Sequence, residues 1–293
     1  MPPTAPRPIL PIEMGPPGAD LPLSLRNFNV IRKLALEKAG ITLADHKRNM
    51  VYRRLTRRVA SLGFADFDDY CALLSGPEGE GEMQHMINAL TTNKTDFFRE
   101  NHHFDHLAAT AIPAMMNSGA AQAKRLRIWS AGCSSGQEPY SIAMTLLRAV
   151  PDLDRFDARI LATDIDTEIL ARAERGIYAA HELAAIPHGL RNVFFQAAPG
   201  HPNQFRALAA LRGLVAFRPL NLHNAWPMKG PFDAVFCRNV VIYFDKTAQT
   251  RLFDRFANIL VPGGFLYIGH SESLFRVTER FRAIGQSIYR KIA

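Results

Sequence analysis

Residues 132–138 read Gly-Cys-Ser-Ser-Gly-Gln-Glu and follow the apolar run RIWSA. A strand that ends in a glycine-bearing turn and continues as a helix puts that turn at the carboxyl edge of a doubly wound sheet, where the backbone can approach a ligand closely. The spacing is not G-x-G-x-x-G, and the turn lacks the Gly-Lys-Ser/Thr ending of a phosphate loop, so neither a dinucleotide nor ATP is indicated. Further on, the run ARILATD ends in Asp164, where an acid can accept hydrogen bonds from ribose hydroxyls. Singly, Gly132 and Gly136 also suit an ordinary turn, and Asp164 suits a cap on the next helix. Together they fit a nucleoside-bearing cofactor, and Glu138 beside the turn repels phosphate while suiting a cation. S-adenosylmethionine has both properties.

The elements that must carry these residues follow from periodicity. From Arg125 onward strand-like apolar runs alternate with helical ones: RLRIWSAG, a helix after Gln137, ARILATDID, a helix to Arg175, GLVAFRPLNL, FDAVFCRN, a helix after Lys246, and GGFLYIGH. That alternation predicts a parallel α/β sheet. Between Tyr178 and Arg212 the rhythm breaks, and the Pro, Gly, His and Asn residues near 199–203 predict an inserted hairpin. From Leu25 to about Leu90 the pattern is helical, with Val51, Leu55, Val59 and Leu62 at three- and four-residue spacing. Within it, HKRNMVYRRLTRR (46–58) holds six Lys or Arg residues and no acid, which makes a basic amphipathic helix. Such a face is either solvated or a docking surface.

Composition narrows the classes. A chain of 293 residues that is 47% hydrophobic can bury a large core, and no apolar stretch approaches the roughly 20 residues of a spanning helix. Residues 1–23 hold eight of the nineteen prolines and lack a signal peptide's basic start and apolar run, so they are expected to form a disordered tail. Cys71, Cys133 and Cys237 are far apart, without metal-like spacing, and an odd number fits no disulfide framework. Reduced thiols in the cytoplasm are expected. The net charge of +8 favours an acidic partner: nucleic acid, an anionic membrane surface or an acidic protein.

The ordered set TTNKTDFFRE, IWSAGCSSGQEPYSIAM, ILATDID, NLH, FDAVFCRNVVIYFD and GGFLYIGHSES closely resembles the CheR family, the chemotaxis protein-glutamate O-methyltransferases. The resemblance covers nearly everything from about residue 25 onward. It implies an all-α N-terminal domain, then an α/β class I S-adenosylmethionine-dependent methyltransferase (Rossmann-like) domain with an inserted small antiparallel β-subdomain. The expected divisions are 24–90 for the helical domain, 91–120 for a segment contributing to the active site, and 121–293 for the methyltransferase domain, with the insert at about 178–213. The resemblance further implies that Asn93, Thr95 and Arg99 contact the cofactor from the inter-domain segment. Glu138, Asp164, Asn221, Leu222, Arg238 and Asn239 would do so from the sheet edge. For several of these the residues themselves allow a plainer role: Asn93 and Thr95 as caps of a helix carrying Phe97 and Phe98, Asn221 as a turn residue.

Methyl transfer from a sulfonium to a glutamate carboxylate needs no general base, because the acceptor is ionised at a pKa near 4.3. Holding the reacting atoms in line and excluding water supplies most of the acceleration. Arg99 is expected to steer the carboxylate and Tyr243 to border the methyl or an acceptor oxygen; the alternatives are a salt bridge for Arg99 and packing on Phe244 for Tyr243. The expected partner is the cytoplasmic helical domain of a methyl-accepting chemotaxis receptor, met by a monomer, with no nucleic acid and no membrane insertion. Some members of the family grasp a peptide at the receptor carboxyl terminus with the inserted hairpin. Here that hairpin reads QAAPGHPNQ, poorer in glycine than the turn associated with that contact. No metal is expected at His102, His103 and His106, and Gly269–Ser273 (GHSES) lacks the last glycine of a hydrolase elbow. The rivals are an RNA methyltransferase and a non-catalytic S-adenosylmethionine-binding signalling protein.

Overall fold

A computed structural model describes residues 21–117 and 124–292. The expected Pro-rich tail lies outside the described residues up to residue 20. Leu21 and Leu23, at its end, are buried. The expected boundary at 120/121 also falls outside them. The chain divides into two compact units, one holding residues up to Leu34 and Leu43–Leu90, the other Ala35–Thr42 and Thr91–Ala293.

The first unit is helical: most of α1 (Leu25–Ala39), then α2 (Arg48–Ser61), α3 (Phe67–Ser75) and α4 (Glu80–Leu90). Asp66 starts α3 by accepting from the N–H groups of Asp68 and Asp69 at 2.8 and 3.0 Å, which satisfies two donors that have no partner inside the helix. On α2 the spacing of Val51, Leu55 and Val59 buries all three, as the periodicity predicts. Its basic residues divide by position. Arg58 makes a bidentate pair with buried Glu82, which also accepts from the Tyr70 hydroxyl at 3.0 Å. Arg54 donates to the Leu90 carbonyl at 2.7 Å, whereas Arg53 and Arg57 are exposed, as is Lys47 just before the helix.

The second unit opens with α5 (His102–His106), a π turn (Leu107–Ala111) and α6 (Ile112–Met116). Then come β1 (Arg125–Ala131), α7 (Gln137–Ala149), β2 (Asp157–Asp164), α8 (Thr167–Arg175) and β3 (Ile177–Ala179). Next are α9 (His188–Phe194), β4 (Phe195–Ala197), β5 (Gln204–Ala207), α10 (Ala209–Arg212) and β6 (Val215–Pro219). The chain ends with β7 (Phe232–Cys237), α11 (Lys246–Ile259), β8 (Leu260–Ile268), β9 (Phe281–Gly285) and β10 (Ile288–Lys291).

The main sheet runs β6-β2-β1-β7-β8-β10-β9, parallel from β6 to β8, with β10 antiparallel to both its neighbours. Because side chains alternate across a strand, each central strand feeds two cores. Ile128, Phe236 and Tyr267 pack on one face, and Trp129, Val235 and Leu266 on the other. The irregular stretch before β6 forms a separate antiparallel sheet, β3-β5-β4. This is the expected architecture, including the inserted small β-subdomain. No helix among the described residues is long and apolar enough to cross a membrane.

Candidate active site

The parallel order brings the carboxyl ends of β6, β2, β1 and β7 to one edge. At the end of β1 the chain turns through Gly132, whose φ of +86° favours glycine and whose missing Cβ would lie 2.3 Å from a Val240 methyl. The turn is tied down from β2: the N–H groups of Gly132 and Cys133 both donate to the Thr163 carbonyl, at 2.8 and 2.9 Å. Next along β2, Asp164 accepts from the Ser134 N–H at 2.8 Å and the Asp166 N–H at 2.9 Å, one on each oxygen. Asp164 is therefore not the cap of α8. That role falls to Asp166, which accepts from the N–H groups of Glu168 and Ile169. Burial pushes the Asp164 carboxyl up to about 6, since removal from water disfavours its charge more than the backbone N–H donors of Asp166, Ser134 and Ile165 restore it.

The segment 91–101 packs along this edge. Asn93 donates its side-chain amide to Asp166 at 2.6 Å, Thr91 donates its hydroxyl to the same oxygen at 2.8 Å, and the Asn93 carbonyl accepts from the Ser134 hydroxyl at 3.1 Å. Asn93 thus anchors the segment to the helix that begins after β2, and caps no helix of its own. Phe97 and Phe98 lie in a turn, with Phe97 buried edge-on against Tyr178 and Phe195. Thr95 and Arg99 are half-buried, and the Arg99 guanidinium donates to the Lys94 carbonyl at 3.0 Å.

A buried ion network fills the space between α7 and β7. Glu138, in the first turn of α7, accepts from the Ser130 hydroxyl at 2.7 Å and from Arg238 at 3.1 Å. Arg238, with a side chain 3% exposed, also lies 3.3 Å from Glu100 and donates to the Arg99 carbonyl. Glu100 in turn accepts from His270 Nδ1 at 2.8 Å. Burial raises the Glu100 carboxyl, but the His270 hydrogen bond and the Arg238 charge prevail and hold it at about 2. For Glu138 burial prevails over Arg238 and Ser130, and its carboxyl moves up.

The turn after β7 is held by an acid that the sequence did not single out. Glu272 is buried and accepts from the N–H groups of Gly269, Asn239, Val241 and Ile242, at 2.6, 2.9, 2.9 and 3.3 Å. It fixes Asn239, whose φ is +59°, and the short 3-10 turn Val241–Tyr243 in which Tyr243 is half-buried. Asn221 and Leu222 follow β6, alongside the end of β2, where the Leu220 N–H donates to the Asp164 carbonyl. Both ends of the Asn221 amide are engaged: Nδ2 donates to the Lys38 carbonyl at 2.6 Å and Oδ1 accepts from the His223 N–H at 2.9 Å. Asn221 is a turn residue, and Leu222 is buried beside Trp129.

The structure therefore gathers Asn93, Glu138, Asp164, Arg238 and Asn239 along one sheet edge. Glu100, Asp166, His270 and Glu272 join them unforeseen. Glu100 ends the string TTNKTDFFRE and His270 and Glu272 lie within GGFLYIGHSES, strings that carry the family resemblance without marking these residues. His102, His103 and His106 are turned to local partners: the Gln286 carbonyl for the first two, the Tyr267 hydroxyl for the third.

Asp164 keeps acceptor capacity beyond its backbone N–H donors, in a buried setting beside the turn that follows β1. Those features suit a nucleoside's ribose hydroxyls. Comparison with known proteins identifies the family. Residues 93–290 match the family model described as CheR methyltransferase, SAM binding domain, and residues 26–91 match CheR methyltransferase, all-alpha domain. The chemotaxis protein methyltransferase of Klebsiella aerogenes is 45% identical over 92% of this chain and 90% of its own length. That of Escherichia coli K12 is 44% identical over 92% of each, and chemotaxis protein methyltransferase 2 of Pseudomonas aeruginosa is 42% identical over 90% and 92%. With both of its units matched in order and relatives this similar along nearly their whole length, the chain belongs to the CheR family of S-adenosylmethionine-dependent methyltransferases.

Proposed function

We propose that this methyltransferase esterifies glutamate side chains on the cytoplasmic helical domain of methyl-accepting chemotaxis receptors, acting in the cytoplasm as a monomer. The observation that carries the substrate class is the state of the acids at the sheet edge. Glu100, Glu138, Asp166 and Glu272 are engaged in holding the fold of the edge, and the remaining acceptor capacity of Asp164 is taken by the ribose in this reading, which suits a reaction without a general base. An acceptor that arrives already ionised needs none.

S-adenosylmethionine, when bound, supplies an electrophilic methyl on a sulfonium. Asp164 would hold the ribose, and the backbone at Gly132 and Asn221–Leu222 would line its path. Asn93, Thr95, Arg99, Glu138, Arg238 and Asn239 would complete the cofactor surroundings. Arg99 steers the substrate carboxylate by charge, its backbone fixed through the Arg238 bond to its carbonyl. Tyr243, on the turn held by Glu272, borders the acceptor oxygen. The exposed Arg53 and Arg57 of α2, with Lys47 just before it, form a basic face suited to an acidic helical partner.

The relatives' names speak of chemotaxis, which supports a receptor substrate over RNA. Incubation with labelled methyl donor and either receptor-enriched membranes or tRNA and rRNA tests the assignment. Label that enters the membranes and is released as methanol by alkali supports it; label in RNA rejects it.

A further inference from the structure

Residues Ala35–Thr42, the end of α1 and the turn after it, belong to the same compact unit as the sheet, although they lie far from it in sequence. Helix α1 ends in a Schellman arrangement: the Gly40 N–H donates to the Leu36 carbonyl at 2.9 Å and the Ile41 N–H to the Ala35 carbonyl at 3.1 Å. That ending requires the left-handed backbone seen at Gly40, φ +68°. It leaves three groups aimed at the site's turns. The Lys38 carbonyl accepts from Asn221 at 2.6 Å. Gly40 lies against the His223 ring, so closely that a Cβ would sit 1.9 Å from Nε2 and 2.3 Å from two ring carbons. The Thr42 N–H donates to the Tyr243 carbonyl at 3.1 Å.

We infer that Lys38–Thr42 is a positioning clamp for the cofactor pocket, with Gly40 its critical residue. One short segment joins the turn after β6, which carries Asn221 and Leu222, to the turn after β7, which carries Tyr243. Neither of these turns is hydrogen-bonded to the other by the interactions described above. Helix α11 also holds both turns, with Arg255 donating to the Leu222 and Asn224 carbonyls and Gln249 to those of Val241 and Phe244, and the segment is a second tie across the same span. His223 is the lever: its ring is wedged between Gly40 and Phe244, 4.5 Å between the latter ring centroids, and its N–H closes the Asn221 turn. A side chain at position 40 displaces that ring, and the ring's movement is transmitted to the Asn221–Leu222 backbone. Gly40 and His223 touch no cofactor in this account; they act through Asn221 and Leu222. The inference rests on those two residues bordering the cofactor.

The test is a double-mutant cycle read by calorimetry with S-adenosylhomocysteine, alongside methylation kinetics. Gly40→Ala should weaken binding at least fivefold and raise KM for the methyl donor, with kcat at saturation within twofold of the parent. His223→Ala removes the obstruction, so in that background Gly40→Ala should change affinity less than twofold. Gly63→Ala serves as a control: Gly63 also has a left-handed backbone, φ +78°, but nothing lies within 4 Å of its Cβ position, and affinity should not change. Equal losses from Gly40→Ala with and without His223 would overturn the clamp, since backbone strain alone would then explain them. If Gly40→Ala does not fold, hydrogen exchange on the wild-type chain decides. S-adenosylhomocysteine should slow exchange at Gly40, Ile41 and Thr42 together with residues 221–224, and protection of 221–224 alone would overturn the inference. Absence of any heat with the wild-type chain would instead count against the cofactor assignment, which separates the two failures.

Discussion

Glu138 and Arg238, one hundred residues apart in sequence, meet at 3.1 Å in the interior of the sheet edge, with side chains 10% and 3% exposed. The pair joins the first turn of α7, directly after the Gly132–Gly136 turn, to the end of β7. Through Arg238 it also reaches Glu100 and the backbone of Arg99. Breaking such a pair from one side leaves a buried charge uncompensated, which costs about 3–5 kcal/mol. Arg238→Ala is therefore expected to lower stability by about that amount in urea unfolding, and to abolish tight binding of S-adenosylhomocysteine. A stability loss under about 1 kcal/mol would mean that the network is solvated.

Glu100→Gln removes one carboxylate from the same network while keeping its shape. Because the folded carboxyl sits at about 2, below its unfolded value, it contributes stability above the unfolded pKa. That contribution is lost as pH falls through the folded pKa. The variant should be less stable than the parent at pH 7, and the difference should shrink as pH falls from about 4 toward about 2. A pH-independent difference would contradict this.

Asp164 behaves in the opposite sense. Its folded pKa, raised to about 6, favours the protonated acid, so the unliganded fold loses stability as pH rises from about 4 through about 6. A ribose acceptor works best ionised, so cofactor affinity should rise with pH across the same window, by up to about tenfold per pH unit below the midpoint. Asp164→Asn should weaken binding and flatten that dependence. An unchanged pH profile of S-adenosylhomocysteine binding in Asp164→Asn would remove Asp164 from the site.

Glu272 accepts four backbone N–H groups, and an amide has a single acceptor oxygen. Glu272→Gln leaves at least two of those donors short of a partner, at about 1–3 kcal/mol for each buried group. Thermal unfolding should show the loss, and cofactor affinity should fall with it because Asn239 and the Val241–Tyr243 turn are freed together.

The basic face of α2 carries a prediction of another kind. Reversing exposed Arg53 and Arg57 to Glu should slow receptor methylation at low salt and reduce its salt dependence. Binding of S-adenosylhomocysteine should not change. Equal rates at low salt would exclude this face as the docking surface.

The alternation of two periodicities made the sheet legible, because a strand buried on both faces and a helix buried on one write different patterns. The glycine turn and Asp164 were legible for the same reason: each stands where a strand ends. Which acid caps the next helix was not, since Asp164 and Asp166 are two residues apart and identical in type. Only geometry shows Asp166 taking the α8 donors and Asn93 as well. Nor could a single sequence pair Glu100 with His270, 170 positions away, or show that Glu272 gathers four N–H groups, because periodicity reports the face a residue takes and is silent about its partner. The type and position of Asn221 suit both a turn residue and a cofactor contact, and its amide is engaged by Lys38 and His223.

The most direct test of the account is to map the modified residue. The wild-type chain is incubated with S-adenosylmethionine and a receptor's cytoplasmic helical domain, and the peptides are sequenced by mass spectrometry before and after mild alkali. The account predicts methyl groups on glutamate side chains that alkali removes, with turnover lost in Arg99→Ala and Tyr243→Phe while cofactor binding persists in the latter. Alkali-stable methyl groups on other residues, or no modification by a chain that binds S-adenosylhomocysteine, would contradict it.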